Sequence, residues 1–206
     1  MVFTTILFSV IGDKLRRLIH DYQKIVVLGM PSAGKTRFLC HLNGNEYVDQ
    51  TTASDEFKYF SIDTPNGKIY VDDGRDIGGT EYYLSRYKEF MTDADMVFFV
   101  FNINDYISDT DYQRKVNARL DLINAFRCAT QKCCIIGSHL DVYVKNGQNR
   151  SSATAFHDIN SIVYEKDKEY YTKEFRELFK DNETFFVVDL TKKDSALKII
   201  ERLTKQ

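Results

Sequence analysis

The order of hydrophobic and polar positions predicts that strands and helices alternate along most of the chain. Four almost wholly apolar runs are typical of strands buried on both faces of a sheet. They span residues 25–28, 96–103, 133–137 and 184–190. Residues 57–71 instead alternate apolar and polar side chains around a proline-asparagine-glycine turn, which predicts an antiparallel hairpin.

Helical patterns lie between these predicted strands. Apolar side chains recur every three or four positions in residues 36–42, 81–91, 112–129, 155–179 and 195–203. Strands that alternate with helices predict a doubly wound α/β fold, with a mostly parallel six-stranded sheet and one antiparallel edge strand. Ligands of such sheets bind at the carboxyl ends of the parallel strands, so we expect the functional site there.

The first twenty residues have an amphipathic pattern of their own. Apolar side chains between Phe3 and Ile19 fall at helical spacing, which predicts a helix in residues 1–20 ahead of a single domain in residues 21–206. The apolar part is too short to span a bilayer, and Val2 stands where N-myristoylation requires glycine. We therefore expect the helix either to pack against the domain or to make weak peripheral contact with a membrane.

Composition narrows the function classes. The 206 residues include 28 Lys and Arg against 30 Asp and Glu, and this balance argues against a nucleic-acid binder. The four cysteines show neither a C-x-x-C pair nor metal-ligand spacing. Such cysteines are typical of reduced thiols, so we expect a cytoplasmic protein.

A glycine-rich motif follows the first predicted strand. Residues 29–36 read Gly-Met-Pro-Ser-Ala-Gly-Lys-Thr, the GxxxxGKT pattern of a P-loop. In this motif backbone N–H groups at a helix N-terminus converge on a phosphate, the lysine reaches the β- and γ-phosphates, and the threonine hydroxyl binds Mg²⁺. The predicted phosphate contacts are Gly29, Ser32, Ala33, Gly34, Lys35, Thr36 and Arg37.

Two later motifs discriminate among P-loop GTPases, ATPases and small-molecule kinases. In residues 76–79, Asp-Ile-Gly-Gly, Asp76 can hold Mg²⁺ through water and the Gly79 N–H can sense a γ-phosphate. In residues 138–141, Ser-His-Leu-Asp, the Asp141 carboxylate can accept two hydrogen bonds from guanine that adenine cannot supply. Alone, the second motif also fits a polar loop whose aspartate caps a helix or faces solvent.

The three motifs together resemble the Ras-like small GTPases in order and approximate spacing, over nearly the whole chain. The DIGG motif and the amphipathic N-terminal helix are similar to the Arf and Sar branch. The run at residues 136–142 is instead similar to the Roc domains of leucine-rich-repeat kinases. The resemblance therefore leaves the subfamily open.

The resemblance implies further roles by position. Thr52 would bind Mg²⁺ and the γ-phosphate together with Thr36 and Asp76 at the metal, and Thr51 is the alternative because no flanking motif sets the register. The segment Asp189-Leu190-Thr191 matches the loop that supports the base, which is usually S-A-K in the family.

The base motif departs from the family's N-K-x-D. His139 would stack on the base where the family has a lysine stem, and Ser138 would replace the asparagine that ties the loops together. Asp141 keeps the preference for guanine.

The implied catalytic residues are Lys35, Gly79 and Thr80. Thr80 stands where the family has the glutamine that orients the attacking water, and a threonine cannot reach as far. Pro31 fills a position that is glycine in Ras, beside the approach of an arginine finger. We therefore predict a GTP/GDP switch with slow hydrolysis, read by effectors, exchange factors and GTPase-activating proteins in membrane trafficking or signalling.

Two other interpretations fit the same motifs. A pseudo-GTPase that binds nucleotide without turnover would show the same P-loop with a damaged catalytic position. A P-loop kinase would need an acceptor site and an arginine-rich lid, and the obvious insertion at residues 143–153 offers only Lys145 and Arg150.

Overall fold

The computed structural model describes residues 22–44, 54–64, 67–77, 79–147, 149–164, 172–180 and 183–204. The predicted N-terminal helix, the hairpin turn, Gly78 and both candidate switch threonines lie outside these ranges. The division at residue 20 therefore stays a prediction. Within the described part of the chain, no helix is long and apolar enough to cross a membrane.

A six-stranded sheet forms the centre of the described structure and confirms the predicted fold class. Its strands are β1 (Tyr22–Gly29), β2 (Ser54–Thr64), β3 (Gly67–Ile77), β4 (Met96–Asn102), β5 (Lys132–Ser138) and β6 (Phe185–Val187). Their order is β2-β3-β1-β4-β5-β6, and β2 at one edge is antiparallel while the other neighbours pair in parallel.

Helices connect the strands. They are α1 (Lys35–Asn43), a 3₁₀ helix (Glu81–Arg86), α2 (Tyr87–Thr92), α3 (Ile103–Ser108), α4 (Thr110–Phe126), α5 (Leu140–Lys145), α6 (Ser152–Val163), α7 (Lys173–Glu177) and α8 (Lys193–Thr204). Helices α1 and α8 pack together. A second group forms around α3 and α4, which contact each other: α2 and α7 pack on α4, and α6 packs on α3. This separation into two groups is that of a doubly wound fold, in which helices cover both faces of the sheet.

The single helix predicted for residues 155–179 is wrong. Helix α6 ends at Val163, and α7 begins only after Thr172, whose backbone is extended. The Thr172 side chain accepts a hydrogen bond from the Phe175 N–H and so caps α7. An N-cap inside a periodic apolar pattern therefore marked a helix boundary that the periodicity alone did not show.

The short helices α3 and α5 were also not predicted from the apolar pattern. The Asn102 side chain caps α3 by accepting from the Asn104 N–H. Asp109 caps α4 by accepting from the N–H groups of Asp111 and Tyr112, so α4 begins earlier than residue 112. Local side-chain hydrogen bonds, rather than apolar spacing, set the starts of α3 and α4, whereas no side-chain cap is present at the start of α5.

The hydrophobic core lies on both faces of the central strands. Val27, Phe98 and Ile135, from β1, β4 and β5, have no exposed surface. The Phe98 ring packs on Phe38 of α1 with 5.0 Å between ring centroids. Burial from two sides explains why these strands are continuous apolar runs.

The sheet places the P-loop at a topological switch point. Strand β1 lies between β3 and β4, so the strand order reverses direction beside β1. Ligands of open α/β sheets bind in the crevice beyond such a point. Because β1, β3, β5 and β6 run in the same direction, the motifs at their carboxyl ends all lie at this same edge of the sheet.

Candidate nucleotide-binding site

The P-loop leaves β1 in a backbone conformation suited to an anion. A Cβ on Gly29 would lie 2.1 Å from the carbonyl oxygen of Val100 in β4, so only glycine fits. Ser32 and Gly34 have left-handed backbones, with φ of 55° and 91°, directly ahead of α1. Left-handed residues at a helix start turn successive N–H groups inward and make an anion-binding nest.

Lys35 lies inside this loop. Its side chain is almost buried, and the Nζ donates a 2.8 Å hydrogen bond to the carbonyl oxygen of Met30. The bond holds the ammonium group over the loop in which the nest forms. Ala33 is fully buried, so it offers a phosphate only its backbone, while Thr36 and Arg37 are half-buried in the first turn of α1.

The DIGG segment lies against the P-loop. A Cβ on Gly79 would lie 2.3 Å from the Pro31 nitrogen and 2.4 Å from the Met30 carbonyl carbon, so the two backbones touch. In β3 the backbone of Asp76 is in register with Val27 of β1. The structure therefore brings Gly79 and the backbone of Asp76 to the P-loop, while the Asp76 side chain is outside its description.

Arg119 is a site residue that the sequence analysis missed. It reaches from α4 to donate from Nη2 to the Gly79 carbonyl oxygen at 3.3 Å, and Nη1 donates to the Lys115 carbonyl oxygen at 3.0 Å. The side chain is 3% exposed, and its Nε has no hydrogen-bond partner among the described groups. The available signal was an arginine between Val116 and Leu120 on the buried stripe of α4.

Tyr87 connects Arg119 to the P-loop. Burial raises the pKa of Tyr87 to about 12, although the charge of the nearby Arg119 guanidinium and the backbone of Gly29 act to lower it. The phenol therefore stays neutral at physiological pH. Arg119 therefore braces the backbone of Gly79, and the buried Tyr87 lies close to this arginine.

The base motif is held by two hydrogen bonds at the Ser138 hydroxyl. Its hydroxyl lies 2.9 Å from the Phe101 carbonyl oxygen and 2.8 Å from His139 Nδ1. Because a carbonyl only accepts, the hydroxyl proton points to Phe101 and Nδ1 is the donor to Ser138. The neutral imidazole of His139 therefore leaves Nε2 without a proton.

His139 itself sits in an uncommon conformation. Its backbone is left-handed, with φ of 63°, at the start of α5. Burial lowers its pKa, with Arg37 acting in the same direction and Asp141 opposing it. Asn104 donates a 3.1 Å hydrogen bond to the His139 carbonyl oxygen, so this asparagine helps to tie the loops together, a role the sequence analysis gave to Ser138 alone.

Asp141 lies in the first turn of α5. Its side chain is 24% exposed, with Lys145 Nζ 4.0 Å from Oδ2. A pairing at this distance from an exposed lysine is weak, so the carboxylate keeps its capacity to accept hydrogen bonds. The position directly after β5 is the one from which the sequence predicted guanine recognition.

The loop after β6 completes the site. Asp189 Oδ1 accepts from the Thr191 N–H at 2.9 Å and from its hydroxyl at 2.5 Å, and these bonds with Lys192 hold the pKa of Asp189 low against the effect of burial. Asp189 thus shapes its own loop. The Leu190 side chain lies 3.2 Å from a Cβ built on Gly34, and its carbonyl oxygen is 2.9 Å from His41 Nε2 of α1.

The described part of the site thus joins the P-loop to the DIGG segment and to residues 189–191, and the base motif to Asn104 and to β4. A comparison with protein families agrees with this arrangement, because the model of the Ras family matches residues 24–192. The chain belongs to the Ras family. A comparison with curated proteins found no significant match.

Membership in the Ras family establishes the general activity. The chain is a GTP-binding switch of the GTPase type, and members of the family bind GTP and GDP, typically with Mg²⁺, and interact with regulators and effectors. The family match does not separate the Arf and Sar branch from the Roc branch.

The brace that Arg119 provides at the Gly79 carbonyl oxygen can be tested by mutation. We expect Arg119→Ala to lower the free energy of unfolding by about 2 kcal/mol, because it leaves the buried Gly79 carbonyl without its donor. Urea denaturation of the GDP-bound protein measures this. Arg114→Ala is the matched control, since Arg114 lies on the same helix with a side chain 78% exposed and should change stability by less than about 0.5 kcal/mol. Equal effects of the two substitutions would contradict the brace.

Proposed function

We propose that this Ras-family protein is a cytoplasmic GTP/GDP switch that hydrolyses GTP slowly and depends on a partner to complete its catalytic site. One observation carries the proposal: Thr80 follows Gly79 at the mouth of the site. Its side chain is exposed and does not cap the 3₁₀ helix that begins after it. Thr80 lines a cavity of about 360 Å³ together with Pro31 and Gly79.

The reaction needs positioning rather than covalent help from the protein. A water oxygen bonds to the γ-phosphorus while the bond to the β–γ bridging oxygen breaks, giving GDP and inorganic phosphate. Lys35 and the N–H groups of the P-loop stabilise the charge on the phosphates. The side chain of Thr80 is too short to orient the water as a glutamine does, so we expect this step to limit the rate.

A magnesium ion would neutralise charge between the β- and γ-phosphates. We propose Thr36, Thr52 and Asp76 as its ligands, Asp76 acting through water. Support comes from Thr36, which directly follows Lys35 in α1, and from the β3 backbone, which brings Asp76 beside β1. Hydroxyl and carboxylate oxygens are the ligands that Mg²⁺ prefers.

The switch itself would follow from release of the γ-phosphate. In the GTP form Thr52 and Gly79 would hold residues 45–56 and 77–90 against the phosphate, and hydrolysis would free both segments. Effectors, an exchange factor and a GTPase-activating protein would read or change that difference, in membrane trafficking or signalling. The contact of Gly79 with Met30 and Pro31 supports this, because a change at the P-loop acts on Gly79 directly.

The second candidate is a pseudo-GTPase that binds nucleotide without turnover. A threonine at position 80 is also compatible with this weaker candidate, and phosphate release from bound GTP separates the two. A P-loop kinase has less support, because Arg150 packs over the Tyr143 ring at 4.7 Å instead of extending as part of a lid.

Turnover tests the role of Thr80. We expect single-turnover phosphate release from preloaded GTP at or below roughly 10⁻⁴ s⁻¹, and a faster rate for Thr80→Gln because the longer side chain can reach the water. Thr80→Val is the size-matched control, and Lys35→Ala, which should abolish nucleotide binding, shows that the phosphate comes from this site. A fast parent enzyme that Thr80→Gln leaves unchanged or slows would contradict the mechanism. No release above buffer would favour the pseudo-GTPase.

Base choice tests Asp141. Asp141→Asn replaces an acceptor with a donor, so we expect GDP affinity to fall about a hundredfold, or about 3 kcal/mol, and preference to move toward xanthosine diphosphate. Competition titration against labelled GDP measures both. Asp194→Asn, at an exposed aspartate of α8, should leave them unchanged. If Asp141→Asn binds GDP as tightly as the parent, the base is recognised elsewhere.

Liposome flotation tests the N-terminal segment. We propose that residues 3–19 provide at most weak attachment, because stable anchoring usually takes two signals and an amphipathic helix supplies one. Only a minor fraction of the protein should float with liposomes, whether it is loaded with GDP or with a non-hydrolysable GTP analogue. Stable flotation that requires the GTP analogue would contradict this and assign the segment to membrane binding.

A further inference from the structure

Strand β6 ends the sheet opposite β2, and in the described part of the chain it pairs only with β5. Its hydrogen bonds show which backbone groups face that neighbour. The Thr184 carbonyl oxygen accepts from Ile135, and the Val188 N–H donates to Gly137. Because bonding alternates along a parallel strand, the backbone groups of Phe185 and Val187 point away from β5.

One of these outward groups already has a partner. The Phe185 N–H donates to the Lys180 carbonyl oxygen at 3.0 Å. The N–H and C=O of Val187 remain directed along the outer edge of the sheet. They form a short segment of strand edge of the kind that accepts another strand.

A groove runs along this edge. Its volume is about 460 Å³, with α6 on one side, α8 on the other and β6 between them. Its apolar walls include Phe156 of α6, Phe186 and Val187 of β6, and Ile199 of α8. An extended chain laid beside β6 would therefore place side chains against both helices.

The rim of the groove is basic. Lys192, Lys198 and Arg202 line it, and the last two are one helical turn apart on α8. The single carboxylate in the lining, Asp189, bonds to Thr191 and pairs with Lys192 at 3.3 Å. Lys198 is exposed, and the lining holds three cationic side chains against one carboxylate, so the groove has a net positive charge.

We propose that this groove, the β6 groove, is a docking site for a partner protein that adds an extended segment to β6 as a seventh strand. The segment would alternate acidic and apolar side chains. Its backbone would bond to the N–H and C=O of Val187, its apolar side chains would enter the groove, and its carboxylates would meet Lys198 and Arg202. A three-residue strand offers few backbone bonds, so the charge pairing supplies much of the selectivity.

A designed peptide tests the proposal. The probe is a fluorescein-labelled nonapeptide, Gly-Glu-Val-Glu-Val-Glu-Val-Glu-Gly, titrated with the full-length, GDP-loaded protein and followed by fluorescence anisotropy. We expect saturable binding with a dissociation constant below roughly 100 µM at low salt, weakened by added salt. The same peptide with lysine for glutamate should not bind.

Variants and a modified backbone separate the parts of the proposal. Lys198→Glu alone, and together with Arg202→Glu, should weaken binding by about tenfold or more, while the exposed control Lys173→Glu should not. Two further peptides carry N-methyl groups on alternate residues, one on the glutamates and the other on the valines. Only one of these two registers of methylation should abolish binding, because only one set of amide N–H groups would bond to β6 in an added strand. Unchanged GDP content shows that each variant is folded.

Three outcomes would overturn the proposal. They are no saturable binding of the acidic peptide, equal binding by Lys198→Glu, and equal binding by peptides methylated in either register. A dimer in analytical ultracentrifugation that Lys198→Glu dissociates would instead assign the β6 groove to a second copy of this chain. Nucleotide binding and turnover are measured separately, so these results do not depend on the proposed GTPase cycle.

Discussion

The site depends on how the backbone of Met30 and Pro31 is held from two sides. The Met30 N–H donates to the Val100 carbonyl oxygen of β4 at 2.9 Å, and the Gly79 backbone touches the opposite side. Neither contact leaves room for a side chain at Gly29 or Gly79. The P-loop is thus confined between the sheet and the DIGG segment. A phosphate that displaces the P-loop therefore also acts on the DIGG segment.

Buried polar side chains carry this confinement into the helices. Arg119 of α4 donates to the Gly79 carbonyl oxygen, and the buried Tyr87 of α2 lies close to this arginine. A buried guanidinium is costly unless its donors are satisfied, so its position is strongly determined by these partners. Helix α4 thereby becomes part of the site without contributing a residue to any recognised motif.

The base side of the site is organised in a similar way. His41 of α1 lies 2.9 Å from the Leu190 carbonyl oxygen, so the helix that follows the P-loop also contacts the loop after β6. Ser138 and Asn104 together hold His139 in its left-handed conformation. Ser138 and His139, at the positions where the family has Asn-Lys, therefore present a partly buried, neutral ring with a fixed tautomer instead of a flexible cation.

The sequence by itself determined the features that rest on local patterns. Continuous apolar runs indicated the buried strands, and the eight residues of the P-loop indicated a phosphate site, because both signals depend on neighbours in the chain. Helix boundaries were less well determined, since caps such as Thr172 and Asp109 interrupted or extended the apolar periodicity. Only the tertiary structure decided that Arg119 braces Gly79, that Leu190 packs beside Gly34, and that β6 leaves an edge between two helices. A buried polar side chain takes its role from whichever element packs against it, and that partner lies tens of residues away in the chain.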